Sequence, residues 1–271
     1  MTDPILQPEE HAAENTPHGS IDQKPSRPFD LVTLPSGGKL YKTGPLANTE
    51  ELEVYYLTAK EEDILTAPNL LRSGKVMETV LRSVLVDRSI DAKKMLLGDR
   101  NAILVWLRST GYGAEYLVNL NCNVCNKKFE HEFNLAELNI RKLKINPDED
   151  GLFDVSLPVT KKIARVSFLT AEEDDAVDAA IENRSRKLKG TGNPATLRLM
   201  AYVKEVVGIS ADEKKSFIEN LPVKDSRTIR KFMHDNEPCV IMQQDAKCTM
   251  CGEINEEVVI PITSRFFWPD S

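Results

Sequence analysis

Four of the chain's five cysteines form two C-x-x-C pairs, CNVC at residues 122–125 and CTMC at 248–251, with 122 residues between them. A C-x-x-C at the tip of a hairpin lets two thiolates converge on one ion while nearby backbone amides point at the sulfurs. Two such knuckles supply the four thiolates that close a tetrahedral structural zinc site. Cys122, Cys125, Cys248 and Cys251 are therefore the candidate metal ligands. The separation is much longer than the roughly 15 to 20 residues of a zinc ribbon. Closing so long a loop costs only about 4 kcal/mol, whereas structural zinc contributes about 10 to 16 kcal/mol in small peptides. One shared zinc is the expectation; separate or intermolecular half-sites, and disulfide or redox chemistry, are the alternatives. A thioredoxin-like pair opens a helix whose dipole lowers a thiol pKa, but both pairs here run on into strands.

Other reactive residue types have plainer readings. Cys239, after Pro238 at the start of an apolar stretch, is expected to be a buried, inert thiol. His131 lies six residues beyond Cys125 at a strand position that suits packing better than ligation, and His11, His18 and His234 lack ligand or nucleophile spacing. The acidic clusters Glu61, Glu62, Asp63 and Glu172 to Asp175 stand where helices begin, and the positive end of a helix accounts for them. No Walker A, nucleophile-elbow, HExxH or GxGxxG motif is present. A zinc closed by four thiolates has no position for a substrate water. The chain therefore reads as a protein that is not an enzyme.

The elements that must position these cysteines follow from pattern. ELEVYYL is a strand of strong β formers, and in LTAKEEDIL Thr58 and Glu61 have capping-box spacing, so a helix should begin near Ala59. KKIARVSFLTAEEDDAV repeats that order, with Thr170 and Glu173 in the same roles. Two helical stretches follow each copy, KVMETVLRSVLVD and DRNAILVWLRST, then TLRLMAYVKEVVG and DSRTIRKFMHD, with Asp99 and Asp225 as expected N-caps. Each copy closes with a strand, a C-x-x-C and another strand. Leu57 to Leu169 spans 112 residues and Cys122 to Cys248 spans 126, leaving about 14 extra residues in the second copy for surface loops. The expected fold is α+β, an internal duplication of two related modules at 29–141 and 142–271, joined at the four-cysteine site. A proline-rich, acidic segment at 1–28 precedes them as a disordered arm.

Totals narrow the function. At 271 residues with 41% apolar and 28% charged residues, the chain has the composition of a globular protein. No apolar run spans a bilayer, and the N-terminus lacks the basic and apolar regions of a secretory signal, so a reducing compartment with free thiols is expected. A net charge of −7 opposes non-specific attraction to phosphate, so neither a nucleic-acid partner nor membrane insertion is expected. The basic run Arg184, Arg186, Lys187 and Lys189 reads as solvated helix surface. Phe266, Phe267 and Trp268 near the end are read as tucked into the core, with a partner interface as the alternative.

The runs LPSGGKLY, ELEVYYLTAKEEDIL and LLGDRNAILVWLRSTGYGAEYLVNLNCNVC resemble the T4-type bacteriophage baseplate hub family, the hub subunit and hub assembly proteins of contractile tails. The closing FFWP is similar to the aromatic ending of such proteins. The resemblance covers residues 30–141 well and the rest loosely. It implies a structural or assembly role in the tail baseplate of the virion after assembly in the host cytoplasm, with other baseplate proteins as partners and no catalytic residues. An assembly chaperone absent from the finished particle, and a zinc-ribbon nucleic-acid-binding regulator, are the alternative functions.

Overall fold

The computed structural model of the chain describes residues 27–187, 194–262 and 264–267. In chain order its elements are β1 (Phe29–Thr33), β2 (Glu51–Tyr55), α1 (Ala59–Thr66), α2 (Pro68–Ser73), α3 (Val76–Val84), α4 (Leu97–Tyr112), β3 (Glu115–Asn121), β4 (Lys128–Asn134), β5 (Ile140–Arg141), β6 (Phe153–Ser156), β7 (Ile163–Val166), α5 (Ala171–Lys187), α6 (Pro194–Tyr202), β8 (Val203–Val206), α7 (Ala211–Glu219), α8 (Val223–Asn236), β9 (Cys239–Val240), β10 (Gln243–Lys247) and β11 (Ile254–Val259). The fold is α+β, with antiparallel pairs β1–β2, β3–β4, β10–β11 and β5–β9 and a three-stranded sheet β6–β7–β8.

Both halves begin with an antiparallel pair that runs into a capped helix. Thr58 N–H donates to Glu61 Oε2 at 3.1 Å, and Thr170 N–H donates to Glu173 Oε2 at 3.1 Å. A later helix in each half delivers a residue to the edge of that pair: Leu85, after α3, bridges Val54, and Val203, after α6, pairs with Val166. TLRLMAYVKEVVG, read from sequence as helix throughout, turns to strand at Val203. Its β-branched Val203, Val206 and Val207 fit a pleated surface better than a helix.

Asp99 and Asp225 are not N-caps. Each is the third residue of its helix, and its carboxylate reaches across to a Leu-Pro turn in the same half. Asp99 accepts from Ser36 N–H at 2.9 Å, Ser36 Oγ at 2.6 Å and Tyr41 Oη at 2.8 Å. Asp225 accepts from Val159 N–H at 2.7 Å, Thr160 N–H at 2.9 Å and Thr160 Oγ1 at 2.8 Å. The side chain turns away from its own helix end because an inserted turn offers two or more donors, an arrangement that local spacing does not reveal.

Two apolar cores result. The first gathers Val54, Leu65, Val80, Leu81, Ile103 and Leu107 from the first half, and also takes Val240, Ala246, Cys248, Ile260, Phe266 and Phe267 from the C-terminal segment. The second gathers Phe153, Val166, Phe168, Val203, Ile229 and Met233, with Leu96 reaching in from the first half. The halves are sutured where Leu97 N–H donates to Leu169 O at 3.0 Å and Ala171 N–H donates to Met95 O at 2.8 Å. A Cβ on Gly98 would lie 1.9 Å from Pro238 O, so only glycine permits this approach of α4 to the residue just ahead of β9.

Residues 1–26 of the expected arm lie outside the described residues; its last two positions are held. Arg27 donates to Ser83 O at 3.0 Å and Tyr56 O at 2.9 Å and pairs with buried Glu61 at 2.6 Å. Among the described residues, no helix is long and apolar enough to cross a membrane.

Candidate metal centre

Each cysteine pair sits on the turn of a hairpin with the same internal bonding. In the first, β3 and β4 pair from Glu115↔Asn134 to Asn121↔Lys128. Beyond that register Cys122 N–H donates to Lys127 O at 3.0 Å, and Asn126 N–H to Cys122 O at 3.0 Å. In the second, β10 and β11 carry Cys248, whose N–H donates to Glu253 O at 2.8 Å, while Gly252 N–H donates to Cys248 O at 2.9 Å. The turn demands left-handed backbone just after the second cysteine. Asn126 (φ 56°) and Gly252 (φ 80°), two residue types that adopt it readily, occupy that place.

The turns aim amides at sulfur. Val124 N–H and Cys125 N–H donate to Cys122 Sγ at 3.4 and 3.5 Å, and Met250 N–H donates to Cys248 Sγ at 3.4 Å. Across the hairpins Cys122 Sγ lies 3.7 Å from Cys251 Sγ and Cys125 Sγ lies 3.9 Å from Cys248 Sγ, and all four sulfurs fall within 4.8 Å of one another. A tetrahedral zinc with bonds of about 2.3 Å sets its sulfurs about 3.8 Å apart. The donor set and its spacing therefore fit a zinc ion.

Within the cluster the thiols of Cys122 and Cys251 are pushed in opposite directions. The amide of Cys125 pulls Cys122 down to about 6; burial opposes this, and the Val124 amide and the neighbouring thiols Cys125 and Cys251 add to it. Cys251 goes the other way, to about 12: the Glu253 amide lowers it, but partial desolvation and the sulfurs of Cys248, Cys125 and Cys122 together outweigh that amide. A divalent cation among the sulfurs removes this conflict by stabilising every thiolate together. Cys122 and Cys248 are buried and Cys251 is exposed, so the cluster opens to solvent on one side.

Other residues singled out in the sequence fall elsewhere. Cys239 lies outside the cluster, half-buried on β9, with its thiol pushed up by burial first. His131 pairs with Val118 across β3–β4 and packs edge-on against Phe133 at 4.8 Å, a packing role. Exposed His234 belongs to the end of α8, while His11 and His18 lie outside the described residues. The acidic clusters hold caps and ion pairs, Glu61 with Arg27 at 2.6 Å, Glu173 with Lys204 at 2.6 Å and Asp174 with Arg198 at 2.7 Å. In the basic run, Arg186 pairs with Glu182 on the exposed face of α5, and Lys189 lies outside the described residues.

Phe266 and Phe267 are sealed in the first core, ring to ring at 5.5 Å, and Phe266 meets Tyr116 at 5.2 Å. They offer no surface to a partner, and Trp268 lies outside the described residues. Sequence reasoning missed Arg108, the residue that holds this end. It is fully buried on α4 and donates from Nε to Phe266 O at 2.8 Å, from a second nitrogen to Glu115 O at 2.8 Å, and also to Gly113 O. Its signal was an arginine within the apolar run ILVWLR, on a helix otherwise dedicated to the core.

A family model described as T4 bacteriophage base plate protein matches residues 27–268. Among curated proteins and among solved structures nothing matches.

Proposed function

This chain belongs to the T4 bacteriophage base plate protein family, and we propose that it serves as a structural or assembly part of the baseplate hub, stapled by zinc on Cys122, Cys125, Cys248 and Cys251. Membership supports a place in the phage tail with other tail or baseplate proteins as partners, and in this proposal the role is structural rather than enzymatic. The single observation behind the zinc reading is the convergence of four sulfurs to within 4.8 Å from hairpins more than a hundred residues apart.

In this proposal the chain is a duplication of two modules, 29–141 and 142–271. Its support is the paired order of landmarks: Thr58 and Thr170, Leu85 and Val203, Asp99 and Asp225, and the two knuckles. Asp99 to Asp225 and Cys122 to Cys248 share one offset of 126 residues. The second knuckle hairpin closes the second module in sequence but packs in the first core, so zinc bonded to both knuckles ties the end of the second module to the first. The ion fixes the angle between the hairpins, and with it the outer surfaces that neighbouring subunits meet.

Metal analysis of the purified chain tests this. One zinc per chain is expected, with loss of metal and of stability in Cys248→Ser. Full metal content and unchanged stability in that variant would remove the shared site. Mass spectrometry of purified particles reads the remaining distinction: the chain in finished tails marks a permanent subunit, and its absence marks an assembly factor.

A further inference from the structure

One polar side chain is packed against the sulfurs without being a ligand. Asn255, on β11, is only 4% exposed. Its Oδ1 accepts the N–H of Asn123, inside the first knuckle, at 2.8 Å. Its Nδ2 donates to Ala246 O, its cross-strand neighbour in the second hairpin, at 3.2 Å, and to Cys122 Sγ at 3.8 Å. These partners fix the amide's orientation. Turning it over would set NH2 against the Asn123 N–H and the carbonyl oxygen against Ala246 O, opposing donor to donor and acceptor to acceptor.

We propose that Asn255 is a positioning residue of the metal centre, holding the first knuckle in register with the second hairpin and donating to the Cys122 sulfur. The hairpin itself does not call for an amide there. By the 126-residue offset the matching position is Phe129, buried and apolar, so an apolar side chain serves the same place in the other hairpin. A buried amide is costly unless its hydrogen bonds are made, and here they join two hairpins. Asn123 lies between the two ligands of its knuckle, so a bond to its N–H sets the tilt of the whole turn. At the far end of the hairpins Gln244 Nε2 donates to Asn134 O at 2.9 Å, so the pair is braced at both ends. Cys122 is the sulfur that collects two turn amides and this side-chain amide, which spreads the charge of a thiolate ligand.

The brace acts on the polypeptide and its effect on metal rests on the zinc reading, so the test has an arm for each. Full-length wild type, Asn255→Ala and Asn255→Asp are compared. In metal-free protein, exchange of the Asn123 amide is followed by hydrogen–deuterium exchange. It should accelerate by about tenfold or more in Asn255→Ala and much less in Asn255→Asp, which keeps the accepting oxygen. In zinc-loaded protein, release to a chromogenic chelator should be about 10 to 100 times faster in both variants, the usual cost of an outer-shell loss. Asn255→Asp should be the faster, because it sets an anion beside Cys122. Cobalt substitution adds a signature that general destabilisation does not move, a shifted thiolate-to-cobalt band in Asn255→Asp. Unchanged Asn123 exchange in Asn255→Ala overturns the brace. Release within about twofold of wild type in both variants overturns the role at the metal. A wild type that takes up no zinc defeats the zinc reading, and the exchange arm then decides the brace alone.

Discussion

Replacing Asp99 with alanine should destabilise the chain by about 3 to 5 kcal/mol, a value that follows from what its carboxylate satisfies. Ser36 is buried, and its N–H and Oγ both donate to Asp99, as does Tyr41 Oη. Truncation leaves the Ser36 N–H without an acceptor where water does not reach, which costs about 1 to 3 kcal/mol. It also removes two hydroxyl bonds worth about 1 kcal/mol each. Asp99→Asn keeps one oxygen for the amide, and the hydroxyls can rotate to accept from its NH2, so it should cost about 1 to 2 kcal/mol. Urea unfolding followed by circular dichroism reads both values. The pH dependence gives a second check. Burial, opposed by the bonds from Ser36 and Tyr41, raises the Asp99 carboxyl above the usual range. The folded chain therefore holds that proton more tightly than the unfolded one. Its stabilisation is complete below about pH 4 and fades as pH rises towards the folded value. The stability difference between wild type and Asp99→Asn should shrink over that window. Asp225, equally inaccessible, goes the other way: burial is outweighed by the bonds from Val159 and Thr160, so its contribution is lost on acidification. Asp99→Ala within about 1 kcal/mol of wild type, or a difference that grows with pH, would refute this reasoning.

Gly98→Ala tests the approach of α4 to Pro238. Helix propensity alone favours alanine by up to about 1 kcal/mol, whereas the Cβ contact with Pro238 O predicts a loss of about 3 kcal/mol, and the sign of the change in melting temperature decides. Phe266→Ala, which empties the centre of a sealed aromatic cluster, should cost about 3 to 5 kcal/mol by denaturant titration. Gly252→Val, at φ 80°, should cost about 1 to 2 kcal/mol and weaken cobalt binding measured by absorbance, because the knuckle turn needs left-handed backbone. Asn126→Gly, at the matching position, should change stability by less than about 0.5 kcal/mol in the same titration.

How much of this was legible beforehand varies with the range of the interaction responsible. The capping boxes at Thr58 and Thr170 were readable because donor and acceptor stand three residues apart. The hairpins around both cysteine pairs were readable too, since strand alternation and a turn residue are local signals. Asp99 and Asp225 were misread as caps, because the donors they serve lie 58 to 66 residues upstream, in turns that contribute nothing to helix signals. Asn255 and Arg108 escaped notice for the same reason: one polar residue in a strand and one cation in a helix look like surface until their partners are in place.

The residue types and spacing were enough to determine that two thiol pairs would sit on two similar hairpin turns, because a knuckle is closed by bonds within six residues. Whether those turns meet is a matter of which faces pack together, and only the tertiary structure decided it. The C-terminal hairpin carries Ala246, Cys248 and Ile260 into the core of the first half rather than the second. Burial of apolar surface is non-directional and summed over the whole chain, so no short stretch of sequence records the outcome. Hydrogen-bond geometry then fixes the last ångströms between the sulfurs.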